Sequence, residues 1–107
     1  MRTDHYFDSC GKGRIHFCRW TPDGDIKGIV QIIHGIAERV ERYDDFANYL
    51  TGQGFLVVAE DHMGHGSSLE EGGVRGYFQG GWFNAVDDSC RLMKDTMAEF
   101  PGVPYIL

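Results

Sequence analysis

Apolar and polar residues follow two different rhythms along this chain. From Arg14 to Trp20 they alternate, with Ile15 and Phe17 on one face and His16, Cys18 and Trp20 on the other. A period of two predicts a strand. His5–Phe7 predicts a short partner strand, and Ser9-Cys10-Gly11-Lys12-Gly13 between them is turn chemistry, so the pair reads as an antiparallel hairpin. Thr21-Pro22-Asp23-Gly24-Asp25 predicts a second turn. Gly28–His34 and Phe55–Ala59 are short, nearly continuous, β-branched apolar runs, as expected of parallel strands covered on both faces. Between them the rhythm changes to three and four. Tyr43, Phe46, Ala47 and Leu50 predict one face of a helix, with Asp44 and Asp45 favourably placed near its positive end. Gly52 and Gly54 offer the left-handed backbone that stops it. Strand, helix, strand at this length predicts a right-handed βαβ crossover.

The segment 62–81 is glycine-rich and reads as a long loop. Trp82, Val86, Cys90, Met93, Met97 and Phe100 then predict the apolar stripe of a second helix, ended by Pro101-Gly102. Val103–Leu107 predicts a third buried strand. No repeat, low-complexity tract or linker divides residues 1–107, which read as part of one α/β domain: a mostly parallel sheet, an N-terminal antiparallel hairpin and flanking helices.

Composition narrows the function classes. A formal net charge of -6 without clustered Lys or Arg argues against nucleic acid. No run is apolar enough to span a membrane, and Met1-Arg2-Thr3-Asp4-His5 lacks the apolar stretch of a signal peptide, so a cytoplasmic location is expected. Cys10, Cys18 and Cys90 have no metal-type spacing and read as reduced, packed thiols, although Cys10 and Cys18 are close enough in sequence to meet across the hairpin.

Candidate chemistry gathers just beyond the two parallel strands, where ligands bind in open α/β sheets. His34-Gly35-Ile36 follows the first; Asp61-His62-Met63-Gly64-His65-Gly66-Ser67-Ser68 follows the second. A tight turn at Gly35 would leave the Ile36 backbone N–H free to face a developing oxyanion. His34 itself reads as a hydrogen-bonded histidine under a loop rather than a reacting group. Asp61, His62 and His65 are ligand types, but the glycines and the missing partner spacing favour a strained turn, so no metal is expected. Ser67 and Ser68 lack the Gly-x-Ser-x-Gly elbow of an exposed nucleophile. Asp87 and Asp88 read as a solvated or helix-end pair.

In this order, the two loops resemble the α/β-hydrolase fold, and within it the monoacylglycerol lipase and lysophospholipase branch, grouped with serine aminopeptidase-like hydrolases. The residues that carry the resemblance are His34-Gly35-Ile36-Ala37-Glu38, Arg42-Tyr43, Asp61 to Ser68, Gly76-Tyr77-Phe78, Trp82, Val86-Asp87-Asp88 and Phe100 to Leu107. The resemblance implies a sheet order of 1-2-4-3-5, with the Gly28–His34 strand beside the one beginning at Val103. It implies that Ile36 donates one oxyanion-hole N–H, with His34 and Gly35 supporting that loop. Glu38 and Arg42 would shape the pocket for a glycerol head group, or alternatively brace the loop as an ion pair. The family commonly has His where Arg39 stands here.

The implied activity is serine hydrolysis of a small-molecule ester or lipid, with monoacylglycerols or lysophospholipids favoured, through an acyl-enzyme and without a cofactor. The elbow serine, the acid, the base histidine and a lid making peripheral membrane contact would follow Leu107. These 107 residues alone are therefore expected to be inactive, and to aggregate through an open apolar sheet edge or stay partly unfolded. The rival expectations are a non-catalytic fragment or binding module of the same fold, or a hydrolase of this fold acting on a peptide, epoxide or carbon–carbon bond.

Overall fold

The structure, a computed structural model, describes residues 2–9, 13–34, 40–62, 68 and 82–107, the side chain of Trp82 excepted. Five strands form one sheet: β1 (Arg2–Asp8), β2 (Arg14–Trp20), β3 (Gly28–Ile32), β4 (Phe55–Glu60) and β5 (Tyr105–Ile106). Their order is β1-β2-β4-β3-β5, as the resemblance implies. β1 and β2 pair antiparallel, β2 joins β4 antiparallel, and β3 runs parallel to both β4 and β5. The first strand is longer than the predicted His5–Phe7. The predicted strand Gly28–His34 ends at Ile32, which leaves His34 beyond the sheet.

The periodicity of β4 explains the layers. Val57 and Ala59 face one side, in a cluster with Cys18, Trp20, Val40 and Ala47. Leu56 and Val58 face the other, in a cluster with Ile29 and Leu92. Helix α1 (Asp44–Gly52) covers the first face, entered through a 3-10 turn at Val40–Tyr43; helix α2 (Trp82–Glu99) covers the second. β4 is thus buried on both faces, as its unbroken apolar sequence requires.

Both helices differ from the predicted faces. In α1, Ala47 is buried and Leu50 half-buried, but Phe46 is 53% exposed. In α2 the buried positions are Ala85, Asp88, Leu92 and Thr96, while Val86 and Met97 are exposed. The predicted stripe is rotated because the buried face carries polar groups with specific partners. Ser9 Oγ donates to Asp88 Oδ2 at 2.6 Å, so Asp88 is not solvated, and Thr96 Oγ1 donates to the Leu92 carbonyl at 2.7 Å. From the sheet, Gln31 Nε2 donates to the Ser89 carbonyl at 3.1 Å, and the Tyr105 hydroxyl donates to Gln31 Oε1. Gly54 takes the left-handed backbone (φ 95°) after α1, whereas Gly52 remains helical; Gly102 does the same after α2.

Candidate active site

The parallel strands β3 and β4 end side by side, and their next residues build one frame. His62 donates its backbone N–H to His34 Nε2 at 2.9 Å. An accepting Nε2 leaves the His34 proton on Nδ1, so His34 is held as a neutral imidazole. The two rings lie 4.1 Å apart, tilted by 49°, and both residues are buried. His34 therefore ties the end of β3 to the end of β4.

Asp61 is the second tie. It is fully buried, at 0% exposure. Its Oδ1 accepts the Val40 N–H at 2.7 Å, and its Oδ2 meets His16 Nδ1 at 2.8 Å. Its N–H donates to the His16 carbonyl at 2.8 Å, and its carbonyl accepts from Ser68 Oγ at 2.6 Å. Ser68 Oγ in turn accepts the His16 N–H at 2.8 Å. The residues that bracket segment 35–39 are thus both tied, His34 to the His62 N–H and Val40 to Asp61. Those that bracket segment 63–67 are tied as well, His62 to His34 and Ser68 to the Asp61 carbonyl. Asp61 and Ser68 are anchors, while His16, which the alternation places only on a strand face, is their common partner. His16 is held toward its charged form above its ordinary pKa, first by the Asp61 bond, against burial, with Asp4 adding to it.

Gly35, Ile36 and Glu38 lie outside the described residues, as do His65, Ser67, Cys10, Arg39 and Gly76-Tyr77-Phe78. Arg42 is exposed on the 3-10 turn, one residue after Glu41. The other end of the sheet offers a cavity of about 340 Å³, lined by residues from Pro22 to Lys27 and Thr51 to Gly54. It lies at the N-terminal ends of β3 and β4, away from His34 and Asp61.

The segment 24–107 matches a family described as "Serine aminopeptidase, S33". The chain belongs to this family of hydrolases. The chain is 37% identical over 106 residues to a monoacylglycerol lipase of Mycolicibacterium smegmatis, covering 99% of this chain and 36% of that one. It is 38% identical over 96 residues to the monoglyceride lipase of Mus musculus, covering 89% of this chain and 30% of that one. A highly thermostable carboxyl esterase from Bacillus coagulans, solved in complex with glycerol, superposes with a TM-score of 0.88 at 30% identity, over 97% of this chain and 34% of that one. The chain thus spans about a third of the length of the hydrolases it matches, and its sheet and helices are those of the α/β-hydrolase fold.

Proposed function

We propose that this chain is the N-terminal part of a serine hydrolase that cleaves carboxylic esters, with monoacylglycerols or lysophospholipids as substrates. The observation that carries the reading is the frame around segment 35–39: His34 and the Asp61-held Val40 fix both of its ends at the C-terminal edge of the sheet. The names of the relatives support a glycerol ester. In this reading the Ile36 N–H donates to the oxyanion, Gly35 permits the tight turn, and His34 holds the loop. Glu38 and Arg42 receive the polar head of the ester.

The reaction needs a serine nucleophile, which attacks the ester carbonyl. The alkoxide of the tetrahedral adduct collapses, the alcohol leaves with the proton taken from serine, and water releases the acid. No Gly-x-Ser-x-Gly elbow occurs in the 107 residues, so they alone are expected to hydrolyse nothing. The test uses the full-length protein with a monoacylglycerol, and a variant Ile36→Pro that lacks the N–H. Loss of about 10²–10³-fold in kcat is expected, with KM changing less. Unchanged kcat would remove Ile36 from the oxyanion hole. A second reading, cleavage of an N-terminal aminoacyl or prolyl amide, is favoured by the family's own description. Turnover of such amides but of no glycerol ester would select it.

A further inference from the structure

The hairpin β1–β2 holds a cluster that the hydrolase reading does not use. His16 and Cys18 are two apart on β2 and so share a face, and Asp4 on β1 lies directly opposite Cys18. Three donor atoms of different chemistry converge there. Asp4 Oδ1 is 2.9 Å from His16 Nε2 and 3.0 Å from Cys18 Sγ, and Sγ is 3.7 Å from Nε2. A point equidistant from the three lies about 2 Å from each, close to the Zn–N, Zn–O and Zn–S lengths of roughly 2.0–2.3 Å.

Two further features suit a cation. His16 Nδ1 is held at 2.8 Å by the buried carboxylate of Asp61, the outer-shell bond that aims Nε2 of a metal-ligating histidine. The surroundings are also rich in negative charge. Glu41 offers a carboxylate oxygen within 4.8 Å of ligand atoms on His16 and Asp61, and its buried Oε2 has no hydrogen-bond partner among the described residues. Among the described residues Arg2 opposes this charge, 3.2 Å from Asp4, and it also reaches Asp44 at 3.5 Å. Cys18 is wholly buried, which excludes it as a nucleophile for any bulky substrate, whereas Asp4 is half-exposed and gives a small ion a way in.

We propose that Asp4, His16 and Cys18 form a binding site for a zinc-class divalent ion, with Asp61 orienting His16 and water completing the coordination. Binding displaces the thiol proton and any proton on Nε2, so the ion takes the place of hydrogen bonds that otherwise join the three groups. The expectation of no metal at Asp61, His62 and His65 rests on that loop's glycines and on missing ligand spacing along the chain, whereas this set is assembled across two strands. Because Asp61 also holds Val40 and the return of segment 63–67, the ion would stiffen the frame of the proposed oxyanion loop without touching substrate.

The full-length protein, stripped with a chelator, is titrated with Co²⁺ and then Zn²⁺. One Co²⁺ per chain is expected, with a thiolate charge-transfer band that Zn²⁺ abolishes, and a rise in Tm on adding Zn²⁺. Cys18→Ser removes the band, and Asp4→Asn weakens binding about tenfold or more. Asp4 is half-exposed, so the Asp4→Asn protein is expected to keep its fold by circular dichroism and decides the matter if Cys18→Ser does not fold. An absent band, a band that survives Cys18→Ser, or undiminished affinity in Asp4→Asn overturns the proposal.

Discussion

Asp61 is a single buried carboxylate that accepts from Val40 and His16, and its removal leaves His16 facing an orphaned site. Asp61→Asn keeps the shape but presents an amide N–H₂ to His16 Nδ1 or to the Val40 N–H, since one oxygen cannot serve both. A loss of about 3–5 kcal/mol of stability is expected, as for other broken buried charge pairs. Urea unfolding of the full-length protein measures it. A change below about 0.5 kcal/mol would mean the network contributes little. Glu60, its neighbour, behaves differently. It faces α2 at 0% exposure, and burial raises its pKa to about 8; a Ser89 contact offsets this only partly, while Asp88 and Asp61 add to it. Neither of its oxygens has a hydrogen-bond partner of good geometry among the described residues. A raised folded pKa favours the protonated fold: stability is fully present below the unfolded value of about 4.5 and is lost as pH rises through about 8. His16, also raised, acts in the same direction above its ordinary 6.5. Asp4, lowered to about 2 by its Cys18 and His16 hydrogen bonds, loses its contribution only on strong acidification. Unfolding at about pH 5 and about pH 9 should therefore show a more stable protein at the lower value, and Glu60→Gln should flatten the difference. A Glu60→Gln protein with the parent's pH slope would assign that slope elsewhere.

The elements show what apolar rhythm can and cannot convey. β4 was legible because five consecutive residues, Phe55–Ala59, leave a strand no option but burial on both faces. The position of the candidate site was legible for the same reason: His34 and Asp61 stand just beyond such runs. Their partners were not, because His16 meets Asp61 across 45 positions and no local pattern records that contact. Helix α2 shows the opposite failure. Its most apolar stripe holds Val86 and Met97, yet Asp88 and Thr96 are buried, since each finds a hydrogen bond that hydropathy does not count. A salt bridge and a hydrogen bond to the hairpin fix the same orientation, with Arg19 meeting Glu99 at 2.6 Å and Arg91 donating to the Asp8 carbonyl at 2.9 Å. Leu92, 2% exposed in the cluster with Ile29, Leu56 and Val58, should then dominate this helix. Leu92→Ala is expected to cost about 2–4 kcal/mol, and Met97→Ala, 46% exposed, about 0.5 or less. Thermal or urea unfolding of the pair decides it; equal costs would mean that the face carrying Met97 is packed as tightly as the face carrying Leu92.

At the scale of the molecule, the two edges of the sheet are unlike. β1 borders one side with Arg2, Asp4 and Asp8, and charges along an edge discourage pairing with another chain. β5 borders the other with Tyr105 and Ile106, followed by Leu107, and among the described residues no strand lies on its outer side. Ile106 is 50% exposed and Leu107 71% exposed, so this edge offers both open backbone groups and apolar side chains. Two copies could therefore continue the sheet through β5. A polypeptide of these 107 residues is expected to self-associate at micromolar concentration, with a sedimentation profile that shifts to larger species as concentration rises. Ile106→Lys places a charge on the same edge without disturbing the Tyr105 and Gln31 contact, and should restore a smaller species. The edge, rather than general instability, is then the cause, because a poorly folded chain would aggregate with or without that lysine. A parent polypeptide that stays monomeric and melts cooperatively over the same range would show that β5 is closed to partners by its shortness alone.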